Sequence, residues 1–377
     1  MRALSVPAGS AVPVLLPALE RVLDGREPAL VAVPPGDDGA SRALRVGEPV
    51  DDDVALVAPT SGTTGAPKGA LLTAAALTAS ATATHRRLGG PGAWLLALPP
   101  HHIAGIQVLV RSVLAGTAPV ELDVSKGFDV AELPGAATRL GSGRRYTSLV
   151  AAQLAKALTD PAATAALADL DAVLLGGGPA PRPVLDAAAA AGIAVVRTYG
   201  MSETAGGCVY DGVPLDGVAL RVTAGGRILI GGATLAKGYR NPVDPDPFAE
   251  PGWFRTEDLG ALGEAGVLTV LGRADDAIST GGLTVLPQPV EAALCTHPAV
   301  ADCAVFGLAD DRLGQRVAAA IVVREGSEAP TVEALRAHVT STLEATAAPR
   351  ELHVVDALPR RGIGKLDRAA LARRFEQ

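Results

Sequence analysis

The sequence predicts an α/β protein with a large amino-terminal lobe of β-sheets and flanking helices over residues 1–272 and a small α+β lobe over residues 273–377. Three observations predict it. Short apolar runs alternate with Ala/Leu-rich helical stretches through the first two hundred residues. Between about 218 and 271 the texture changes to short β-rich runs punctuated by glycine, the pattern of a β-rich subdomain closing the large lobe. After 272–276 a fresh set of strand and helix signals fills about one hundred residues, an ordinary domain size.

Each element has its own signal. Pro7, Pro13 and Pro17 interrupt the mildly apolar start, a helix-like Ala18–Leu23 follows, and no cleavage site marks a signal peptide. The run Val54–Ala58 is a buried strand, and 59 residues precede Thr60. Leu95–Leu98 reads as a strand before a helix at 103–115. Ala172–Leu175 reads as a strand before Gly176, Gly177 and Gly178 and a helix at 181–191. Arg227–Ile230 and Val267–Leu271 are strands of the subdomain; Ala304–Phe306, Ala318–Val323 and a helix near 331–343 belong to the second lobe.

Composition narrows the function. The 377 residues are 48% hydrophobic and 19% charged, which suits a globular enzyme. The net charge of −7 and the lack of a long basic run argue against nucleic acid as a partner. No uncharged apolar run reaches the roughly 20 residues that span a bilayer, so membrane insertion is not expected. Cys208, Cys295 and Cys303 are odd in number and form no CxxC pair, which reads as reduced thiols of a cytoplasmic protein.

The chemistry starts at Thr60-Ser61-Gly62-Thr63-Thr64-Gly65-Ala66-Pro67-Lys68-Gly69, directly after the strand at 54–58. Glycines let backbone N–H groups converge on an anion, hydroxyls add donors and the lysine adds charge, so this is a phosphate loop. Its spacing is not that of a Walker A loop, because Lys68 is followed by Gly69 rather than Ser or Thr. The glycine triplet at 176–178, at the end of an apolar strand, lets backbone approach a flat base, with Tyr199 as a stacking partner.

Five ordered motifs resemble those of the adenylate-forming superfamily, which includes acyl-CoA synthetases, luciferases and peptide-synthetase adenylation domains. They are the 60–69 loop, Tyr199-Gly200-Met201-Ser202-Glu203-Thr204, Gly252–Gly260, Gly272–Ile278 with Gly281-Gly282, and Pro359–Leu366. The resemblance implies a mobile carboxyl-terminal lobe and an acid activated by ATP with Mg2+ and CoA. It implies β/γ-phosphate binding by Thr60, Ser61, Gly62, Thr63, Thr64, Gly65 and Lys68, and Mg2+ held by Glu203. Ser202 and Thr204 would donate to phosphate or carboxylate, Gly176–Gly178 with Tyr199 and Gly200 would hold adenine, and Asp258 with Arg273 would face the ribose. Lys365 would bridge carboxylate and phosphate, Asp275 would be the hinge, and Gly281 and Gly282 would line the CoA side. Superfamily members carry a longer region ahead of the phosphate loop, so the amino-terminal lobe is expected to be abbreviated.

Within that superfamily, Leu98–Gly105 with His102 and Ser148-Leu149-Val150 resembles the acyl site of ligases that join o-succinylbenzoate to CoA in menaquinone biosynthesis. An arginine inside the apolar helix 106–114 is costly to bury without an anion, so Arg111, with His102 and Ser148, is a candidate partner for a second substrate carboxylate. Alternatives are a ligase for another small aromatic or dicarboxylic acid, and a non-catalytic nucleotide-binding regulator. The second has no use for both Glu203 and Lys365. A homodimer is compatible with all of these.

Overall fold

The computed structural model describes residues 1–7, 11–34, 36–60, 67–361 and 365–376, with backbone alone at Arg361 and Lys365. A first sheet has parallel strands Arg2–Ser5, Leu30–Val33 and Val54–Ala58, with Ala70–Thr73 added antiparallel. The strand at 54–58 is buried along its whole length, as its unbroken apolar run requires when both faces are covered. The helix before it is longer than its sequence signal, Val12–Leu23. Pro13 sits in the first turn, where a missing N–H costs nothing. Pro17 is accommodated in the second turn because Leu15, Ala18, Leu19 and Val22 are buried on one face. Pro13 and Pro17 thus lie inside a helix held by packing rather than interrupting it, while Pro7 precedes it.

The central sheet has seven strands, in the order Val213–Pro214, Gly206–Tyr210, Val195–Met201, Ala172–Gly176, Arg145–Val150, Ala93–Leu96, Val120–Glu121. The five from Val195–Met201 onward are parallel. Helices Ile103–Ala115 and Arg182–Ala190 return the chain between strands, close to the predicted spans. Parallel strands carry their connecting loops to one edge, so the segments after Leu96, Val150, Gly176 and Met201 all emerge together. Trp94, Tyr146 and Tyr210 are among the largest fully buried side chains of the core.

The β-rich segment is an antiparallel sheet of Val218–Val222, Arg227–Gly232, Trp253–Leu262 and Leu268–Arg273. Beyond it, Val300–Asp310 and Gly314–Val323 form the long hairpin of a second core, flanked by Pro287–Leu294, Val332–Thr340 and Arg368–Phe375. Gly281 and Gly282 form the two-residue turn between Ile278–Thr280 and Leu283–Val285, with φ of 59° and 80°. Two consecutive positive φ values suit a type I′ turn, which glycine adopts without strain. Cys295 and Cys303, read from the sequence as unrelated thiols, lie with their Sγ atoms 3.4 Å apart, because a helix end packs on the first long strand. Among the described residues no helix is long and apolar enough to cross a membrane.

Candidate active site

At the carboxyl edge of the central sheet, the strand Val195–Met201 delivers Tyr199 and Gly200 and runs into a short 3-10 turn, Ser202–Thr204. A Cβ on Gly200 would lie 2.1 Å from the Gly206 carbonyl oxygen, so only glycine permits the strand pairing there. The turn is fixed from below. The Ala205 carbonyl, at φ 52°, accepts from Ser80 Oγ at 3.0 Å and from Gln107 Nε2 at 2.7 Å, tying it to the two long helices beneath.

Glu203 is buried, 8% exposed. Tyr239 donates its hydroxyl to Glu203 Oε1 at 2.6 Å, and the Ala236 N–H donates to the Glu203 carbonyl at 2.9 Å. Burial, reinforced by this carboxylate, holds the Tyr239 phenol well above its usual range, so it stays a neutral donor. Thr204 has a different part from the one its motif implies: fully buried, its hydroxyl donates to the Gly206 carbonyl at 2.7 Å and accepts from the Met201 N–H at 3.0 Å. In this arrangement it shapes the turn, and Ser202 is the hydroxyl left at partly exposed depth.

Across the site, Tyr199 donates to Asp258 Oδ2 at 2.7 Å. Burial first, and the Asp258 charge second, push the Tyr199 phenol far up. Asp258 lies opposite Arg273 in the antiparallel pair, and the guanidinium sits 3.9 Å from Asp258 Oδ1. Arg273 spends its main hydrogen bonds on Asp275, Nε to Oδ1 at 2.8 Å and Nη2 to Oδ2 at 2.6 Å. The predicted ribose partner and the predicted hinge residue are therefore joined through one arginine. Gly176 approaches the next strand so closely that a Cβ would meet Thr198 Oγ1 at 2.5 Å, and Gly177 takes φ 83°. This edge thus presents bare backbone beside Tyr199.

Ser61, Gly62, Thr63, Thr64 and Gly65 lie outside the described residues, but both ends of their loop are placed. Thr60 Oγ1 is buried with no partner among the described residues, as an anion-binding hydroxyl would be. On the far side, the Asn241 N–H donates to the Lys68 carbonyl at 2.9 Å and the Arg240 N–H to Gly69 at 2.7 Å, while Asn241 Nδ2 reaches the Pro67 carbonyl at 2.8 Å. Gly69 is obligatory: φ is 73°, and a Cβ would sit 2.5 Å from Leu44 Cδ2. Lys68 Nζ stands 5.3 Å from the centre of the Tyr239 ring. The segment 236–241, which carried no sequence signal recognised above, thus holds both Glu203 and the exit of the phosphate loop. Its Gly-Tyr-Arg-Asn run among prolines reads locally as an ordinary turn.

On the acyl side, His102 caps the helix Ile103–Ala115 in extended conformation, and its ring lies 4.4 Å from that of His101. Ser148 is buried near the end of its strand. Gln153 ties the edge together by donating to the Ala97 carbonyl at 2.7 Å and accepting from the Val150 N–H at 3.0 Å.

Arg111 is not with them. Nine residues along a helix from His102 is about 13.5 Å, and Arg111 lies 3% exposed at the opposite end of the sheet. Its guanidinium sits 4.8 Å over the Trp94 ring and donates to the Tyr210 hydroxyl at 3.4 Å, while Nε has no partner among the described residues. Burial lowers its pKa. The expected substrate-facing cation is a core residue whose charge rests on the face of Trp94. Among the described residues its recorded partners are Trp94 and Tyr210, not a carboxylate.

Comparison with known proteins matches this layout. Residues 16–240 fit the family of AMP-binding enzymes, and 289–365 fit the AMP-binding enzyme C-terminal domain. The chain belongs to the AMP-binding enzyme family. It is 81% identical over its full length to a probable 2-succinylbenzoate–CoA ligase of Mycobacterium tuberculosis, covering 98% of that protein. It is 36% identical over 85% of its length to a 2-succinylbenzoate–CoA ligase of a Geobacillus species, covering 69% of it. Among solved structures, the o-succinylbenzoate CoA synthetase of Bacillus subtilis in complex with its acyl-adenylate matches with a TM-score of 0.78 at 26% identity, over 98% of this chain and 87% of that one. The same enzyme with ATP and magnesium matches with a TM-score of 0.74 at 28% identity, over 94% and 82%.

In this AMP-binding enzyme the junction after Arg273 is packed. Asp276 accepts from Arg368 Nη1 at 2.9 Å and from Gln288 Nε2 at 3.0 Å, and Arg368 Nη2 meets both oxygens of Glu291 at 2.8 Å. Glu291, whose carboxyl pKa burial pushes up while the Arg368 charge pulls it down, also accepts from the Val305 N–H. Lys365 falls in the two-residue strand Lys365–Leu366, paired with Arg360–Arg361; its side chain lies outside the description.

Proposed function

We propose that this chain activates 2-succinylbenzoate with ATP and transfers the acyl group to CoA. The observation that carries the reading is the 81% identity, over the whole chain, to a probable 2-succinylbenzoate–CoA ligase. In the first half-reaction a substrate carboxylate oxygen attacks the α-phosphorus and the bond to pyrophosphate breaks. In the second, the CoA sulfur attacks the acyl carbon and AMP leaves. Thr60 and Lys68, with Ser61 to Gly65, would hold the β- and γ-phosphates. Adenine would lie on Gly176 to Gly178 against Tyr199, and Asp258, positioned by Tyr199 and Arg273, would accept from the ribose hydroxyls.

Among the described residues no cluster of three or more His, Cys, Asp or Glu side chains could cage a metal. A lone buried carboxylate such as Glu203 suits Mg2+, which uses one or two carboxylates and completes its shell with phosphate oxygens and water. Glu203 would hold it, and bound there the ion would neutralise phosphate charge. The two units 1–272 and 273–377 would turn about Asp275, bringing first Lys365 and then the Gly281-Gly282 turn to the site. With Arg111 in the core, recognition of the second carboxylate falls to His102 and Ser148.

The test is a panel of acids with ATP, Mg2+ and CoA, followed by pyrophosphate release and thioester formation. 2-Succinylbenzoate is expected to give the highest kcat/KM; preference for a monocarboxylic analogue would sink the substrate assignment. Lys365→Ala is expected to abolish adenylate formation while sparing thioester formation from supplied acyl-AMP, and equal loss in both would remove Lys365 from the first step.

A further inference from the structure

Two opposite charges lie against one side chain at the phosphate-loop exit, the ammonium of Lys68 at the Tyr239 ring and the carboxylate of Glu203 at its hydroxyl. In a partly buried site such charges attract strongly. A direct pair would consume the cation meant for phosphate and the anion meant for the metal. The structure holds them apart with one side chain. Tyr239 turns its ring toward Lys68 Nζ, 5.3 Å from the centroid, and its hydroxyl toward Glu203 Oε1, 2.6 Å away.

The ring itself is fixed. Phe248 meets it edge-on at 5.5 Å between centroids and leans in turn on Phe254 at 4.8 Å. The backbone on either side is laced to the loop exit, with Leu71 N–H to the Gly238 carbonyl at 3.0 Å, Lys237 N–H to the Leu71 carbonyl at 2.9 Å and Arg240 N–H to Gly69 at 2.7 Å. The neighbouring cation, Lys237, is held outward by Asp51 and Asp53 at 2.7 and 2.8 Å, so it does not compete for Glu203.

We infer that Tyr239 is a positioning residue for the nucleotide and metal site: its ring spaces Lys68 from Glu203, and its hydroxyl satisfies one carboxylate oxygen without neutralising the charge. This rests on Glu203 being the metal-holding carboxylate. A neutral donor is the suitable partner, because it orients the carboxylate and leaves its negative charge for the ion.

Two variants separate the roles of hydroxyl and ring. Mg2+ is titrated calorimetrically into enzyme saturated with a non-hydrolysable ATP analogue, and binding of that analogue is measured without metal. Tyr239→Phe is expected to weaken Mg2+ binding about tenfold, with metal-free nucleotide affinity and the unfolding midpoint unchanged. Tyr239→Ala is expected to weaken metal-free nucleotide binding as well, because Lys68 then pairs with Glu203, and adding Glu203→Gln to it restores that binding. Unaltered Mg2+ affinity in Tyr239→Phe overturns the inference, and so does Tyr239→Ala binding that Glu203→Gln does not restore. Should Tyr239→Ala fail to fold, Tyr239→Phe alone decides. Glu203→Gln as a single variant checks the premise: unchanged Mg2+ affinity there removes Glu203 from the metal site, whereas weakening there with none in Tyr239→Phe removes Tyr239 only.

Discussion

The helix Ile103–Ala115 joins two polar regions that handle charge in opposite ways. At its amino end, at the carboxyl edge of the sheet, Glu203 and Asp258 are each held by a neutral tyrosine hydroxyl, at 2.6 and 2.7 Å, and keep their charge toward the site. At its other end Arg111, His85, Trp94 and Tyr210 are enclosed, and Arg111 Nε, His85 Nε2 and Trp94 Nε1 lack partners among the described residues. The first region sets its carboxylates at the open edge of the sheet; the second encloses its charge in the core. Burial alone does not mark a functional ion. What marks it is an oriented partner and an open edge of the sheet.

The sharpest test of the contrast is Glu203→Gln, which keeps shape and removes the charge. Losing one electrostatic contributor of this kind costs about 10²- to 10³-fold in turnover, with a raised Mg2+ requirement and an unchanged unfolding midpoint. Turnover and Mg2+ dependence like wild type would place Glu203 with the core group.

His85 tests the other region through pH. Burial, aided by the Arg111 charge, pushes its pKa from 6.5 down to about 4. Between those values the unfolded chain binds a proton that the folded protein refuses, so stability falls as pH drops from about 6.5 to about 4. The full loss is at most about 3 kcal/mol. His85→Leu should flatten that part of the stability curve in urea titrations at stepped pH, and an unchanged slope would mean His85 is protonated in the fold.

A smaller effect is expected at Tyr199. Replacing it by Phe leaves the ring for adenine and removes the donor to Asp258, worth about 1.5 kcal/mol, or about tenfold in KM for ATP. The KM for the acid should hold still, and a shift in both would mean that Tyr199 shapes the whole edge rather than Asp258.

The smallest effect on catalysis belongs to Arg111. Arg111 stacks on Trp94 and donates to Tyr210 within the core, so Arg111→Met should leave the KM for 2-succinylbenzoate within about twofold of wild type. A tenfold rise confined to the dicarboxylic substrate would erase the distinction between the two regions.

Much was legible in the chain itself. The glycines at 176, 200 and 281–282 are local statements, because positive φ and absent Cβ atoms follow from residue type within a few positions. The strands at 54–58 and 172–176 and the helix at 103–115 were readable from apolar run lengths for the same reason. Tertiary structure alone decided the rest. Tyr239 meets Glu203 across 36 positions and Asp258 meets Tyr199 across 59, pairings that depend on which strands become neighbours. Cys295 and Cys303 come together because a helix end packs on a strand. Arg111 was misplaced because the sequence shows that a cation interrupts an apolar helix but not how far along the sheet that turn lies; depth is a property of the packed layers, and depth separates a binding charge from a buried one.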